Sequence, residues 1–178
     1  MPQIAEVAGL RSQEPGPGAV EVVELLNGLL GAYWTAYAQH RTHRTVLADL
    51  GLDGLGATYE AHIADEPVTI AELTERILDL DGLPAPALGE VRVGSTVEEL
   101  LELDMALQAQ ARSALNAAAE TAAAHHDATT RNLIERVLAD EEDHLAWLRT
   151  EVDLFRRLGA QLYTAARLTV TNAATPSG

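Results

Sequence analysis

The sequence contains no cysteine, so a disulfide framework, a thiolate metal site and thiol redox chemistry are excluded. Aromatic residues make up only 4% of the chain, and the short β-branched runs of an all-β protein are scarce. No run of roughly 18 uncharged apolar residues occurs, and the N-terminus has no charged segment followed by an apolar one. The sequence therefore predicts a cytoplasmic protein that does not insert into a membrane.

Basic residues are also few. Lys and Arg total 12 against 27 Asp and Glu, which gives a formal net charge of -15. A surface of this charge repels the phosphates of nucleic acids and of anionic lipids. We therefore expect neither a nucleic-acid partner nor a membrane partner.

The length of 178 residues and the abundance of Leu and Ala predict one all-α domain. The run Pro15-Gly16-Pro17-Gly18 resists both helix and strand, so residues 1–18 are predicted to form a loose tail. The folded domain is expected to span residues 19–168. Residues 169–178 are interpreted as a second loose tail.

Apolar periodicity and turn residues predict four long helices, at residues 19–50, 52–80, 95–124 and 128–158, and a short fifth helix at residues 161–168. The second helix contains Pro67, which is expected to kink it. Residues 82–95 form a connection rich in Pro and Gly, longer than the 2 to 8 residues of a simple helix hairpin. Four long helices with one long crossover between the second and third are typical of a ferritin-like four-helix bundle.

Charged residues interrupt the apolar stripes of these helices. Glu141 and His144 lie on the core face of the fourth helix, and Glu66 lies on that of the second. The spacing Glu-x-x-His places both side chains on one side of a helix, one turn apart. A buried carboxylate is costly unless it is paired or bound to a metal, so both a metal site and a metal-free hydrogen-bonded network are open alternatives. The histidines His40 and His43 could belong to the core or to the surface.

Three segments together resemble the bacterioferritins in order and spacing: residues 24–31, residues 76–84 and residues 140–148. The resemblance covers residues 19–167. It implies iron storage in a hollow shell of about 24 subunits, with Fe(II) oxidised by O₂ at a di-iron site inside each bundle. It also implies haem held between paired subunits by a methionine.

The resemblance assigns six ligand positions to the di-iron site. Glu66, Glu141 and His144 match three of them, whereas the other three hold Tyr33, Thr69 and Gln108. The position of the haem methionine holds Pro67, so no haem is expected.

Two ferrous ions carry four positive charges, which the family site offsets with four carboxylates, and only two of these remain. We therefore expect impaired or absent ferroxidase activity, and at most one ion, iron or another divalent metal, bound by Glu66, Glu141 and His144. His62 is a spare ligand one turn from Glu66. The carboxylates of Asp65 and Asp140 would orient the ligands.

Three functions follow as hypotheses. The first is a storage-shell subunit without rapid oxidation, either in a homo-oligomer or co-assembled with active subunits. The second is a repurposed bundle, an enzyme or a binding protein, that takes one metal or a small molecule in a pocket lined by aromatic side chains. The third is a structural partner without chemistry. The aromatic residues expected to line the pocket are Tyr33, Trp34, Tyr37 and Tyr59.

Overall fold

The computed structural model describes residues 17–168, in which five helices and no strand occur. The all-α prediction is confirmed. Residues 1–16 of the tail predicted for residues 1–18, and the tail predicted for residues 169–178, lie outside the described residues. Residues 17 and 18 belong to a helix, so the first tail was predicted too long. None of the helices within residues 17–168 combines the length and the apolar character needed to cross a lipid bilayer. The helices are α1 (Pro17–Asp49), α2 (Asp53–Ile63), α3 (Glu66–Asp79), α4 (Val97–Ala124) and α5 (Ala128–Ala165).

Two helix starts follow from local chemistry. Helix α1 begins at Pro17, inside the predicted tail, because a proline in the first turn loses no helical hydrogen bond. At the start of α4, the hydroxyl of Thr96 accepts a hydrogen bond from the backbone N–H of Glu99 at 3.1 Å. The carboxylate of Glu99 accepts one in return from the backbone N–H of Ser95 at 2.7 Å. These reciprocal bonds resemble a capping box and fix where α4 begins.

The second predicted helix is two helices in the structure. Helix α2 ends at Ile63, and α3 begins at Glu66 with Pro67 in its first turn. The prediction of one helix with Pro67 in its interior is therefore wrong. A proline cannot donate the hydrogen bond that would continue α2, but it is well suited to open a new helix. The break places Glu66 at the start of α3, where its side chain is buried.

The short terminal helix is confirmed as the last part of α5. Gly159 has a φ of 72° and interrupts the helical geometry there, and the helix after it ends at Ala165. Tyr163 donates a hydrogen bond to the carboxylate of Glu151 at 2.6 Å, and Arg167 contacts the same carboxylate at 2.6 Å. These bonds hold the terminal segment against the body of α5.

The crossover between α3 and α4 runs in extended form along α1. Gly31 permits this close approach, because a Cβ atom there would lie 2.3 Å from the carbonyl oxygen of Ala87. One turn further along α1, the hydroxyl of Thr35 accepts a hydrogen bond from the backbone N–H of Gly89 at 2.8 Å. The same face of α1 binds the crossover backbone through Asn27, Gln39 and His43.

The buried apolar side chains form two separate clusters. One joins α1, α3, α4 and α5, and the other joins the end of α1, α2, α4 and α5. Buried polar side chains lie in the bundle outside these clusters. Representative members are Leu26, Leu73, Leu115 and Ile134 in the first cluster, and Leu47, Ile63, Leu101 and Leu148 in the second.

Asp127 joins α3 to the start of α5. Its carboxylate accepts hydrogen bonds from the backbone N–H of Thr130 at 3.0 Å and from the guanidinium of Arg76 at 2.8 and 2.9 Å. We expect Asp127→Ala to lower the free energy of unfolding by about 2 kcal/mol, because it removes a helix cap and a partly buried charged hydrogen bond. Urea denaturation followed by circular dichroism measures this change.

Asp153 provides the matched control. It lies 3.8 Å from Arg157 in an exposed pair on α5. Asp153→Ala is expected to change the free energy of unfolding by less than about 0.5 kcal/mol. Equal effects of the two substitutions would contradict the role assigned to Asp127.

Candidate functional site

Polar side chains from every helix meet inside the bundle, and we call this group the polar cluster. The helices bring these side chains together although their residues are as far apart in sequence as Tyr33 and His144. Most of the members are almost completely shielded from solvent. The cluster consists of Tyr33, Gln39, His40, His43, Tyr59, Glu66, Asp104, Gln108, Glu141 and His144.

Tyr33 and Glu141 form the first pair. The phenol hydroxyl donates to the Oε1 atom of Glu141 at 2.5 Å. Burial raises the pKa of Glu141 to about 7, although the bond from Tyr33 acts in the opposite direction. Burial and the neighbouring carboxylate raise the pKa of Tyr33 far above its usual value, so its hydroxyl remains a donor. Tyr33 occupies a position that the resemblance assigns to a metal-binding glutamate. Its hydroxyl instead binds Glu141, which is itself a predicted ligand.

Gln108 and His144 form the second pair, with 2.8 Å between the amide nitrogen and the Nδ1 atom. Burial lowers the pKa of His144 to about 3, so its imidazole is neutral and accepts the amide proton on Nδ1. The Nε2 atom of His144 and the Oε1 atom of Gln108 are buried and have no hydrogen-bond partner among the described residues. The pair is thus only partly satisfied.

His40 and Glu66 form the third pair, with 2.5 Å between Nδ1 and Oε1. The Nε2 atom of His40 also lies 3.7 Å from a carboxylate oxygen of Asp104. Burial lowers the pKa of His40, but the hydrogen bond that its Nδ1 donates to Glu66 and the charges of Glu66 and Asp104 raise it more, so the net shift is upward. The imidazole of His40 therefore tends to carry a positive charge between two carboxylates.

Asp104 is fully buried and accepts hydrogen bonds from three side chains. The amide of Gln39 donates at 2.8 Å, the Nδ1 atom of His43 donates at 2.7 Å, and the hydroxyl of Tyr59 also donates. Burial raises the pKa of Asp104, but the hydrogen bond from His43 and the charge of His40 lower it more, so the net shift is downward. The carboxylate consequently stays ionised inside the bundle.

The predicted accessory residues lie around this cluster without joining the ligands. The ring of His62 stacks on that of His144 with 5.1 Å between centroids, and on Trp147 with 4.7 Å. Because the lone pairs of two stacked imidazoles lie in parallel planes, they do not converge on one point. Asp65 and Asp140 are exposed, and their role in orienting the ligands stays a prediction.

The arrangement does not fit a pair of iron ions. Among residues 17–168, no group of three or more His, Asp or Glu side chains is placed so that it could hold a metal ion. Glu66, Glu141 and His144 each form a hydrogen bond with a different neighbour. Thr69, at the position of a histidine ligand, is buried and lacks an imidazole. Binding of one ion by the three predicted ligands stays a prediction.

Sequence reasoning did not find the bonds that join this cluster. The sequence leaves His40 open between core and surface, and it does not predict the contact of His40 with Asp104. Gln39 was not identified at all, although it follows Thr35 by four residues on the face that meets the crossover. The spacing of four between the polar residues Thr35 and Gln39, which places both on one face of the helix, was the signal that could have identified Gln39.

A cavity of about 240 Å³ lies beside the polar cluster, between α1 and α4. Its lining is mostly apolar, with Tyr33, Gln108 and Glu141 among its polar members. The prediction that four aromatic residues line a pocket is wrong, since only Tyr33 borders this cavity. Trp34 follows Tyr33 directly on α1, so it points in another direction, and it is 40% exposed. Tyr59 lies on α2, where its hydroxyl donates to Asp104.

Comparison with known proteins gives concordant results. The family model of the ferritin-like domain matches residues 23–158. A bacterioferritin of Streptomyces coelicolor is 38% identical over 162 residues, which cover 90% of this chain and 96% of that protein. A bacterial ferritin of Pseudomonas aeruginosa is 32% identical over 152 residues, which cover 85% of this chain and 99% of that protein.

The fold agrees with these matches. The solved structure of the Mycobacterium tuberculosis bacterioferritin BfrA superposes with a TM-score of 0.81 at 33% identity. The superposition covers 88% of this chain and 98% of that one. The family match, the identities and the shared fold together establish that this chain belongs to the bacterioferritin family of ferritin-like proteins.

Proposed function

We propose that this chain is a subunit of a cytoplasmic iron-storage shell that does not oxidise Fe(II) rapidly within its own bundle. Membership of the bacterioferritin family supports the storage role, with iron as the cargo. One observation supports the proposed loss of rapid Fe(II) oxidation: the side chains at the ligand positions form hydrogen bonds with one another. These contacts are Tyr33 with Glu141 and Gln108 with His144.

Charge and hydrogen bonding both oppose a di-iron pair at this place. Of the carboxylates in the cluster, Asp104 already accepts three hydrogen bonds, which leaves Glu66 and Glu141 to offset four positive charges. Iron binding would also require the hydrogen bonds of Tyr33 and His40 to break, and a buried group that loses its partner costs about 1 to 3 kcal/mol. The cluster is therefore better suited to staying closed than to accepting two ions.

The proposed assembly is a shell of about 24 subunits, formed by this chain alone or together with active bacterioferritin subunits. A mixed shell would obtain Fe(III) from its active members, and this chain would complete the wall of the cavity. The net charge of -15 suits a protein that attracts cations and repels nucleic acids.

Restoring the three missing ligands should restore oxidation. We expect the triple variant Tyr33→Glu, Thr69→His, Gln108→Glu to oxidise Fe(II) in air at least about tenfold faster than the unaltered protein, which corresponds to a barrier lower by roughly 1.4 kcal/mol. The variant regains four carboxylates and a second histidine. Absorbance of ferric species, after addition of two Fe(II) ions per subunit, measures the initial rate.

Adding Glu141→Ala to the triple variant is the control, because it removes one of the six ligands of the restored site. This quadruple variant should return to the slow rate. The proposal would be contradicted by unaltered protein that oxidises Fe(II) as fast as the triple variant.

Assembly can be tested independently of oxidation. Light scattering after size exclusion should give a native mass of about 24 subunits, either for this chain alone or after its co-expression with an active bacterioferritin. A monomer or dimer under both conditions would remove the storage cavity, and the proposed storage role would then be wrong.

A second candidate function is the binding of one divalent ion by Glu66, Glu141 and His144, whose side chains would have to move together, since no three such groups among residues 17–168 are placed to hold an ion. The supporting observation is that Glu66 Oε2 and His144 Nε2 are buried and lack hydrogen-bond partners among the described residues. To bind a metal, His144 would carry its proton on Nδ1, and the amide of Gln108 would turn to accept that proton with its free Oε1. The cluster offers neutral imidazole and carboxylate oxygen, which suit Zn²⁺ or Fe²⁺.

Cobalt(II) binding tests this candidate. If the site forms, the unaltered protein should take up about one Co²⁺ per subunit, and His144→Ala should abolish the uptake. His126→Ala, which alters an exposed histidine, is the matched control and should leave it unchanged. Equal cobalt contents of the three proteins would remove this candidate.

A further inference from the structure

One of the three hydrogen bonds to the predicted ligands differs from the other two in origin. The bonds to Glu141 and His144 come from side chains that themselves occupy ligand positions. The bond to Glu66 comes from His40, which occupies none of the six ligand positions. Replacing the altered ligands therefore leaves the contact between His40 and Glu66 in place.

The imidazole of His40 is completely buried and is held by side chains from three helices. Its ring packs edge-on against Tyr59 with 5.9 Å between centroids, and against His144 with 5.4 Å. Its Nε2 atom lies 3.7 Å from a carboxylate oxygen of Asp104. Because these neighbours leave the ring little room to turn, Nδ1 stays directed at Glu66.

The bond from His40 fixes the direction of the Glu66 carboxylate. Oε1 lies 2.5 Å from Nδ1, and Oε2 is buried without a hydrogen-bond partner among the described residues. In this direction Glu66 does not converge with other ligands, since no three His, Asp or Glu side chains of residues 17–168 are placed to hold an ion. A hydrogen bond to a carboxylate decides how that carboxylate can bind a metal, and here it favours an arrangement without one.

We infer that His40 is a positioning residue that keeps the ligand positions closed to metal by binding Glu66 through Nδ1. The inference rests on the proposed function, because it concerns the same ligand positions. The triple variant regains its ligands but retains the bond between His40 and Glu66. A metal ion entering that variant must break the bond or accept Glu66 in an unsuitable direction, and either requirement weakens binding.

Cobalt(II) binding to the triple variant measures the effect of His40 without oxidation chemistry. Adding His40→Leu removes the donor and keeps a bulky side chain in the core. We expect this quadruple variant to bind about two Co²⁺ per subunit, at least about tenfold more tightly than the triple variant, because no hydrogen bond to Glu66 has to break. The visible absorbance of bound Co²⁺ gives both dissociation constants.

Two other substitutions in the triple variant separate the hydrogen bond from a general structural effect. His40→Asn retains a donor, since its amide nitrogen takes nearly the position of the imidazole Nδ1, and should leave the cobalt affinity unchanged. His126→Leu makes the same chemical change at an exposed histidine and should also leave it unchanged. Circular dichroism and native mass verify folding, and His40→Ala takes the place of His40→Leu if the latter does not fold.

The inference would be overturned by equal cobalt affinities with and without His40→Leu, by absence of cobalt binding from both proteins, or by an equal gain from His40→Asn. Its failure is distinguishable from failure of the proposed function. A triple variant that oxidises Fe(II) rapidly but gains no affinity from His40→Leu would remove only the role of His40. A triple variant that stays slow, together with tight cobalt binding after His40→Leu, would contradict only the proposed cause of slow oxidation.

Discussion

The charge of Asp104 is the constraint on which the centre of this bundle depends. The residue is fully buried, and its carboxylate remains ionised because three donors bind it and the neighbouring imidazole of His40 lowers its pKa. Those donors come from α1 and α2, so the carboxylate on α4 fixes the relative positions of three helices. A rotation of any of these helices would leave a buried charge without its partners.

The same donors extend this constraint to the crossover. Gln39 accepts a hydrogen bond from the backbone N–H of Arg92 at 3.0 Å, and His43 accepts one from Gly94 at 3.4 Å. Each of these side chains thus contacts Asp104 on one side and the crossover on the other. The long connection, whose extended backbone has no helical hydrogen bonds of its own, is held by the groups that satisfy the buried carboxylate.

Sequence periodicity predicted the helices well because burial of an apolar stripe dominates their formation. It failed at Pro67, where the apolar stripe continues through a break in the backbone. Periodicity also placed Glu66 and His144 in the interior, which the structure reproduces. It could not identify the partner of Glu66, because His40 lies on another helix and their contact depends on how α1 and α3 pack. An apolar stripe indicates which residues of a helix are buried, whereas the partner of a buried residue depends on how the helices pack against each other.

A di-iron centre supplies positive charge and occupies volume in the middle of a bundle, and this chain meets the two requirements differently. The hydrogen bond to Glu66 and the carboxylates of Glu66 and Asp104 raise the pKa of His40, which favours a positive charge between them. The volume is only partly filled, since the phenol of Tyr33 reaches Glu141 but a cavity remains beside it. The two apolar clusters meet the polar cluster through Tyr33 and Tyr59, and they contain most of the large buried side chains. Their burial stabilises the fold whatever occupies the centre, so the chemistry of the centre can change while the bundle is retained.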